Sequence, residues 1–101
     1  MTYHVSEAAK VDLKRIYFEG SDLFGEAQAI TYLKGIEAMF ETLAQFPRMA
    51  RLRTEISPPA HGHPYKSHLI FYDIHGDDVI EIIRVRHSAE DWLSDMNELP
   101  Q

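Results

Sequence analysis

The chain contains no cysteine, which rules out a disulfide framework, thiolate catalysis and any cysteine-based zinc site. It also lacks any apolar run approaching the roughly 18 residues needed to cross a bilayer. Its N-terminal MTYHVSEAAK has no basic segment followed by an apolar one. These absences fit a soluble, cytoplasmic protein with no membrane partner. Basic charge is scarce: 10 Lys and Arg stand against 16 Asp and Glu, a formal charge of −6. The deficit lies late in the chain, with 7 basic to 8 acidic residues up to Ala60 and 3 to 8 from His61 onward. Phosphate neutralisation by Lys and Arg supplies most non-specific nucleic-acid affinity, so a strong autonomous DNA or RNA binder is disfavoured. Repeats, low-complexity segments and linkers are missing too. A chain of 101 residues with 45% hydrophobic content fits one compact domain, 1–101, around one core.

What is present centres on Ser67 to His87, SHLIFYDIHGDDVIEIIRVRH. Two β-branched and aromatic runs, Leu69 to Ile74 and Val79 to Val85, flank the polar turn signal His75-Gly76-Asp77-Asp78, a β-hairpin pattern. A two- or four-residue loop predicts that Ile74 faces Val79. Tyr72 then meets Glu81, Ile70 meets Ile83 and His68 meets Val85. In this register Leu69 opposes Arg84, Phe71 opposes Ile82 and Ser67 opposes Arg86, on the other face. Both faces are apolar in the middle, as expected of central strands covered on both sides.

Around the hairpin, Thr2 to Val5 reads as a short strand. Ser6 is an N-cap for a first amphipathic helix running to about Glu19, with Ala9, Leu13, Ile16 and Tyr17 inward and Gly20-Ser21-Asp22 and Gly25 as breakers. A second helix, from Gly25 or Glu26 to about Phe46, is marked by Ala29, Tyr32, Leu33, Ile36, Met39, Phe40 and Leu43, and Pro47 ends it. Arg51 to Ile56 alternates as a half-exposed strand, and Ala60 to Pro64 reads as a loop. Ser88-Ala89-Glu90-Asp91 matches a capping box before a short helix carrying Trp92, Leu93 and Met96. Pro100 marks the tail. The order predicts an α+β fold in which an N-terminal strand and a helical hairpin pack on a mainly antiparallel sheet, followed by a short C-terminal helix. The first strand can pair parallel or antiparallel.

These elements carry residue patterns that together resemble the RelE/ParE toxin superfamily, and its ParE branch in particular. They are Ser6-x-x-Ala9-x-x-Asp12-Leu13-x-x-Ile16, Phe24-Gly25 leading to Ala29-x-x-Tyr32, and Leu43-x-x-x-Pro47. They continue with Ser67 to Tyr72, Ile83 to His87, and Asp91. The resemblance implies a toxin of a type II toxin–antitoxin system that poisons DNA gyrase by trapping it on cleaved DNA. It also implies a ParD-like ribbon-helix-helix antitoxin that wraps the toxin in a hetero-oligomer. The RelE branch instead cleaves messenger RNA on the ribosome, and a third possibility is a non-toxic antitoxin-binding module. Fold alone does not choose among them.

For a nuclease, the groups able to serve as base, acid and cationic clamp are Lys66, His68, Tyr72, Arg84, Arg86 and His87. In the predicted register the two histidines share one face and the two arginines the other. The carboxylates Glu90, Asp91, Asp95 and Glu98 would also repel RNA. The sequence therefore favours a binding protein with no catalytic residue of its own. For partner contact the candidates are Arg51, Arg53, Arg84, Arg86, His87 and Trp92, with Trp92 alternatively anchoring the third helix. His61-Gly62-His63 with His68 offers three imidazoles to a metal but no carboxylate at a persuasive spacing. Neither a metal nor a cofactor is expected. The resemblance leads one to expect an arginine in that loop, where histidine stands.

Overall fold

A computed structural model describes residues 2–76 and 79–97. The expected hairpin-turn residues Asp77 and Asp78, the tail with Glu98 and Pro100, and the Asp95 side chain lie outside the described residues. The elements are β1 (Thr2–Val5), α1 (Glu7–Phe24), α2 (Glu26–Gln45), β2 (Leu52–Arg53), β3 (Ala60–Tyr65), β4 (His68–His75), β5 (Val79–His87) and α3 (Trp92–Asn97). They form the expected α+β arrangement, with one five-stranded sheet in the order β1-β5-β4-β3-β2. Three of its pairings are antiparallel. The β1–β5 pairing is parallel, running from Thr2 opposite Val79 to Val5 opposite Ile82.

The helical hairpin covers one sheet face. Ala9, Ile36, Phe40, Leu43 and Ala44 pack there on Ile70, Tyr72, Ile80, Ile82 and Val85. On the opposite face, Ile56, Phe71 and Met96 form a smaller cluster with Leu69 and Trp92. The Trp92 and Phe71 ring centroids are 5.2 Å apart, and the Arg53 guanidinium lies 5.8 Å from the indole. Trp92 is thus the anchor of α3.

Four expectations need correction. First, α1 runs five residues past Glu19, through Gly20. Gly20 packs against Ala29, where an added Cβ would lie 3.4 Å from the Ala29 Cβ, and the packing of α1 on α2 carries the helix through a residue of poor helix propensity. Only Gly25, at φ 91°, stops the helix. Second, pairing of the Arg51 to Ile56 stretch is confined to Leu52 and Arg53, and Ile56 turns under the sheet. Third, Ala60 to Pro64 is the start of strand β3. Neighbouring β4 supplies the pairing that local propensity does not, and Pro64 lies beyond the two residues that β2 covers. Fourth, α3 begins at Trp92, and Glu90 closes the preceding turn by accepting from the His87 N–H at 2.9 Å.

The hairpin register also differs from the predicted one, and in two steps. His75 faces Val79 and Tyr72 faces Ile82; then Phe71 faces Arg84 and His68 faces His87, leaving Ile83 as an unpaired extra residue. This bulge inverts the alternation, so that Ile80, Ile82 and Val85 all reach the helix-side core. Unbroken alternation would have put Arg84 in phase with Ile80 and Ile82. Ser6 answers the bulge from the β1–α1 junction: its N–H donates to Ile82 O (2.9 Å), its hydroxyl donates to Ile83 O (2.7 Å), and the same oxygen accepts from the Ala9 N–H (3.0 Å). Ser6→Ala should therefore cost about 1–2 kcal/mol in urea unfolding, from a lost cap and an unmet carbonyl. Ser6→Asp, which caps but cannot donate, should fall between the two.

Candidate functional site

At the far end of the hairpin, the polar residues of α1, β4, β5 and the turn before α3 converge on one cleft. It is lined by Asp12, Arg15, Ile16, Glu19, His68, Val85, His87 and Glu90. Its deepest polar group is Asp12, 3% exposed. The Asp12 carboxylate accepts from Arg84 Nε at 2.7 Å, from a second Arg84 nitrogen at 3.0 Å and from the Val85 N–H at 3.0 Å. Arg86 lies 3.9 Å from the same carboxylate and donates to Glu90 at 2.9 Å. Two arginines and two carboxylates thus cancel in charge. Arg84 and Arg86, expected as partner contacts, have side chains only 12% and 7% exposed and sit in an internal network. The bulge takes Arg84 out of phase with Ile80 and Ile82, and its long side chain still reaches Asp12 of α1, a placement that simple alternation could not foresee.

The histidines do meet. His68 and His87 pair across the strands with ring centroids 5.1 Å apart. His68 Nδ1 shares a 2.7 Å hydrogen bond with the Tyr32 hydroxyl of α2, and His87 Nδ1 accepts from the Ala89 N–H at 3.0 Å. Burial, then the neighbouring His87, hold His68 below the usual histidine range, against the opposing pull of Glu90 and Asp12. Burial raises Tyr32, keeping its hydroxyl protonated. Lys66, at φ 50° in the β3–β4 turn, lies over the rings of Tyr32 and Tyr65 at 5.8 and 5.6 Å. Tyr72 is remote from this cleft: it is fully buried, stacks on His61 at 5.2 Å and donates to Pro47 O at 2.7 Å. The six nuclease candidates are therefore split among a histidine pair, a neutralised arginine pair, an aromatic-bound lysine and a core tyrosine. His61 donates from Nδ1 to Ala50 O at 2.8 Å, so His61 and His68 have separate partners. Among the described residues, no cluster of three or more His, Asp or Glu is arranged to hold a metal.

A second feature was missed in the sequence. Leu13, Lys14, Tyr17, Phe18 and Leu33 line a shallow, mainly apolar groove between α1 and α2. Phe18 is 62% exposed, and Leu23 and Phe24 near the hairpin tip are 72% and 64% exposed. The signal was available: Val11 and Phe18, seven residues apart and outside the core stripe, form a second apolar row on α1.

The family model for the ParE toxin of the type II toxin–antitoxin system parDE matches residues 3–92. The chain belongs to the ParE toxin family. A Toxin ParE1 of Mycobacterium tuberculosis is 33% identical over 89 residues, covering 88% of this chain and 91% of that one. Toxin ParE3 and Toxin ParE1 of Caulobacter vibrioides are 31% and 30% identical, covering 73% and 86% of this chain and 73% and 88% of theirs. The fold matches a solved chain of the chromosomal ParDE TA system from P. aeruginosa with TM-score 0.74 and 20% identity, over 86% of this chain and 95% of that one. This ParE-type toxin therefore has the family architecture. No helix among its described residues is long and apolar enough to cross a membrane.

Two outcomes follow for the cleft. Asp12→Ala should cost about 3–5 kcal/mol in denaturant unfolding, because it removes the buried carboxylate that holds Arg84 by two hydrogen bonds and faces Arg86. Replacing all three charges by apolar residues of similar size should recover most of that loss. For His68, the lowered folded-state pKa means that the unfolded chain takes up the proton first. The stabilising preference for neutral His68 is complete above about 6.5 and is lost as pH falls through the folded value. His68→Asn should therefore flatten the fall in melting temperature between pH 7 and about 5; an unchanged slope would refute the assignment.

Proposed function

We propose that this ParE-type toxin acts in the cytoplasm by binding DNA gyrase, with no bond-making chemistry of its own. In this reading it is held inactive by a ParD-like ribbon-helix-helix antitoxin, as a hetero-oligomer. The observation that carries the binding mode is the exposed apolar groove of the helical hairpin, which suits the apolar face of an amphipathic antitoxin helix. That the structural relative comes from a ParDE TA system supports an antitoxin as the occupant. At the cleft, exposed His87 is the group best placed to meet that partner, and half-buried Trp92 and Arg53 could contribute at the opposite face. Internal neutralisation of Arg84 and Arg86 supports the non-enzymatic reading, since a phosphorane-like transition state needs uncompensated cationic charge.

A RelE-type messenger RNA interferase is the second reading, favoured by one observation: the His68–His87 pair, in which one imidazole could serve as base and the other as acid. Purified toxin distinguishes the two. Gyrase-dependent accumulation of cleaved DNA supports the first, ribosome-dependent transcript cleavage the second, and neither, with antitoxin binding retained, supports a non-toxic binding module. For the groove, Phe18→Glu should weaken antitoxin binding roughly 10- to 100-fold by calorimetry, as expected for an apolar anchor replaced by a charge. Unaltered affinity would place the antitoxin elsewhere.

A further inference from the structure

The turn that follows α2 presents a surface used by neither the cleft nor the groove. Residues 46–53, Phe-Pro-Arg-Met-Ala-Arg-Leu-Arg, contain three arginines and no acid, in a chain with 10 basic and 16 acidic residues. Phe46, Met49 and Leu52 are 57%, 48% and 45% exposed. Arg53 turns to Glu55 at 3.5 Å and to Trp92. Arg48 and Arg51 are exposed, and among the described residues neither has a carboxylate within ion-pair distance.

This segment is held from beneath. Pro47 O receives the Tyr72 hydroxyl at 2.7 Å and Ala50 O receives His61 Nδ1 at 2.8 Å. The two anchoring rings stack from paired positions on adjacent strands, 5.2 Å apart at 19°. The Met49 N–H also closes back on Phe46 O at 3.1 Å. Carbonyls at Pro47 and Ala50 are thus fixed toward the sheet, while three apolar and two cationic side chains remain exposed. The backbone of such a surface has little conformational freedom left to lose on binding. Its Phe, Met and Arg content is that of protein interfaces. A phosphate backbone would use only the two arginines, against the repulsion of a chain of charge −6, and would leave the apolar side chains unrewarded.

We propose that Phe46, Arg48, Met49, Arg51 and Leu52 form the surface that docks the toxin on its target, an acidic protein face with an apolar socket. This rests on the gyrase reading above, which makes that protein a gyrase subunit. The surface is separate from the antitoxin groove: from Leu33 to Phe46 is 13 residues, about 20 Å at helical rise.

The toxin and the variants Arg48→Glu/Arg51→Glu, Met49→Ser and Phe18→Glu would each be titrated against purified gyrase A, gyrase B and antitoxin. The arginine variant should lose roughly tenfold or more in affinity for one gyrase subunit and keep its antitoxin affinity within about twofold, with Phe18→Glu showing the reverse. Met49→Ser, which leaves the charge intact, should weaken gyrase binding alone. Wild-type binding to gyrase should weaken with salt more steeply than that of the arginine variant. Unchanged circular dichroism and melting temperature would confirm that the variants fold. If wild type binds gyrase and the arginine variant binds equally well, the docking assignment falls and the gyrase reading survives. Loss of antitoxin affinity alone would give the patch to the antitoxin and overturn the proposal. No wild-type binding to either subunit defeats the gyrase reading itself, and this assignment with it.

Discussion

One buried carboxylate ties the two ends of the chain together. Asp12 takes charge from Arg84 and Arg86 and a backbone N–H from Val85, 73 residues away. It can do so because the bulge at Ile83 moves that stretch of β5 out of regular alternation, and because Ser6 meets the carbonyls the bulge would otherwise leave open. Bulge, cap and ion network form one unit: each exposes a polar group that another must satisfy. The cleft above it is built on this unit and inherits its charge balance.

That balance shapes how such a toxin can work. Catalysis at phosphate needs cations that remain uncompensated until the transition state forms. Here the arginines nearest the histidine pair are matched by Asp12 and Glu90. Recognition surfaces have the opposite requirement, apolar or charged groups without internal partners. Exposed apolar residues lie along the helical hairpin, and on the turn after α2 exposed Arg48 and Arg51 have no carboxylate within ion-pair distance among the described residues. The sheet supplies rigidity, and in the proposed reading the periphery supplies contact.

Much of this could be read from the residues. The 3.6-residue period of α2 and the apolar runs of β4 and β5 gave those elements, because burial alone specifies them. The break within Ile82-Ile83-Arg84-Val85, where apolar residues switch from even to odd positions, was visible yet compatible with strands buried on both faces, so the bulge went unread. Strand β3 was hidden because His, Gly and Pro carry no strand signal and obey their neighbour. Gly20 looked like a breaker because its benefit, contact with Ala29, belongs to tertiary structure. Asp12 appeared in the family pattern, but an acidic residue on an amphipathic helix does not announce burial. The arginines were judged by type, and only their neighbours show that they are already engaged.

The parallel pairing of β1 with β5 also governs when the molecule can come into being. Thr2 to Val5 find their sheet neighbour only at Val79 to Ile82, and Ser6 and Asp12 wait for Ile83 and Val85. Closure between such distant segments comes late, since the entropy of the intervening chain must be overcome before the contacts repay it. During synthesis the first residues leave the ribosome with no strand to join, and a chain halted before β5 has neither bulge nor arginines to receive Asp12. The topology leaves β1, Ser6 and Asp12 without their sheet-side contacts until β5 has been translated, a delay written into the order of the strands.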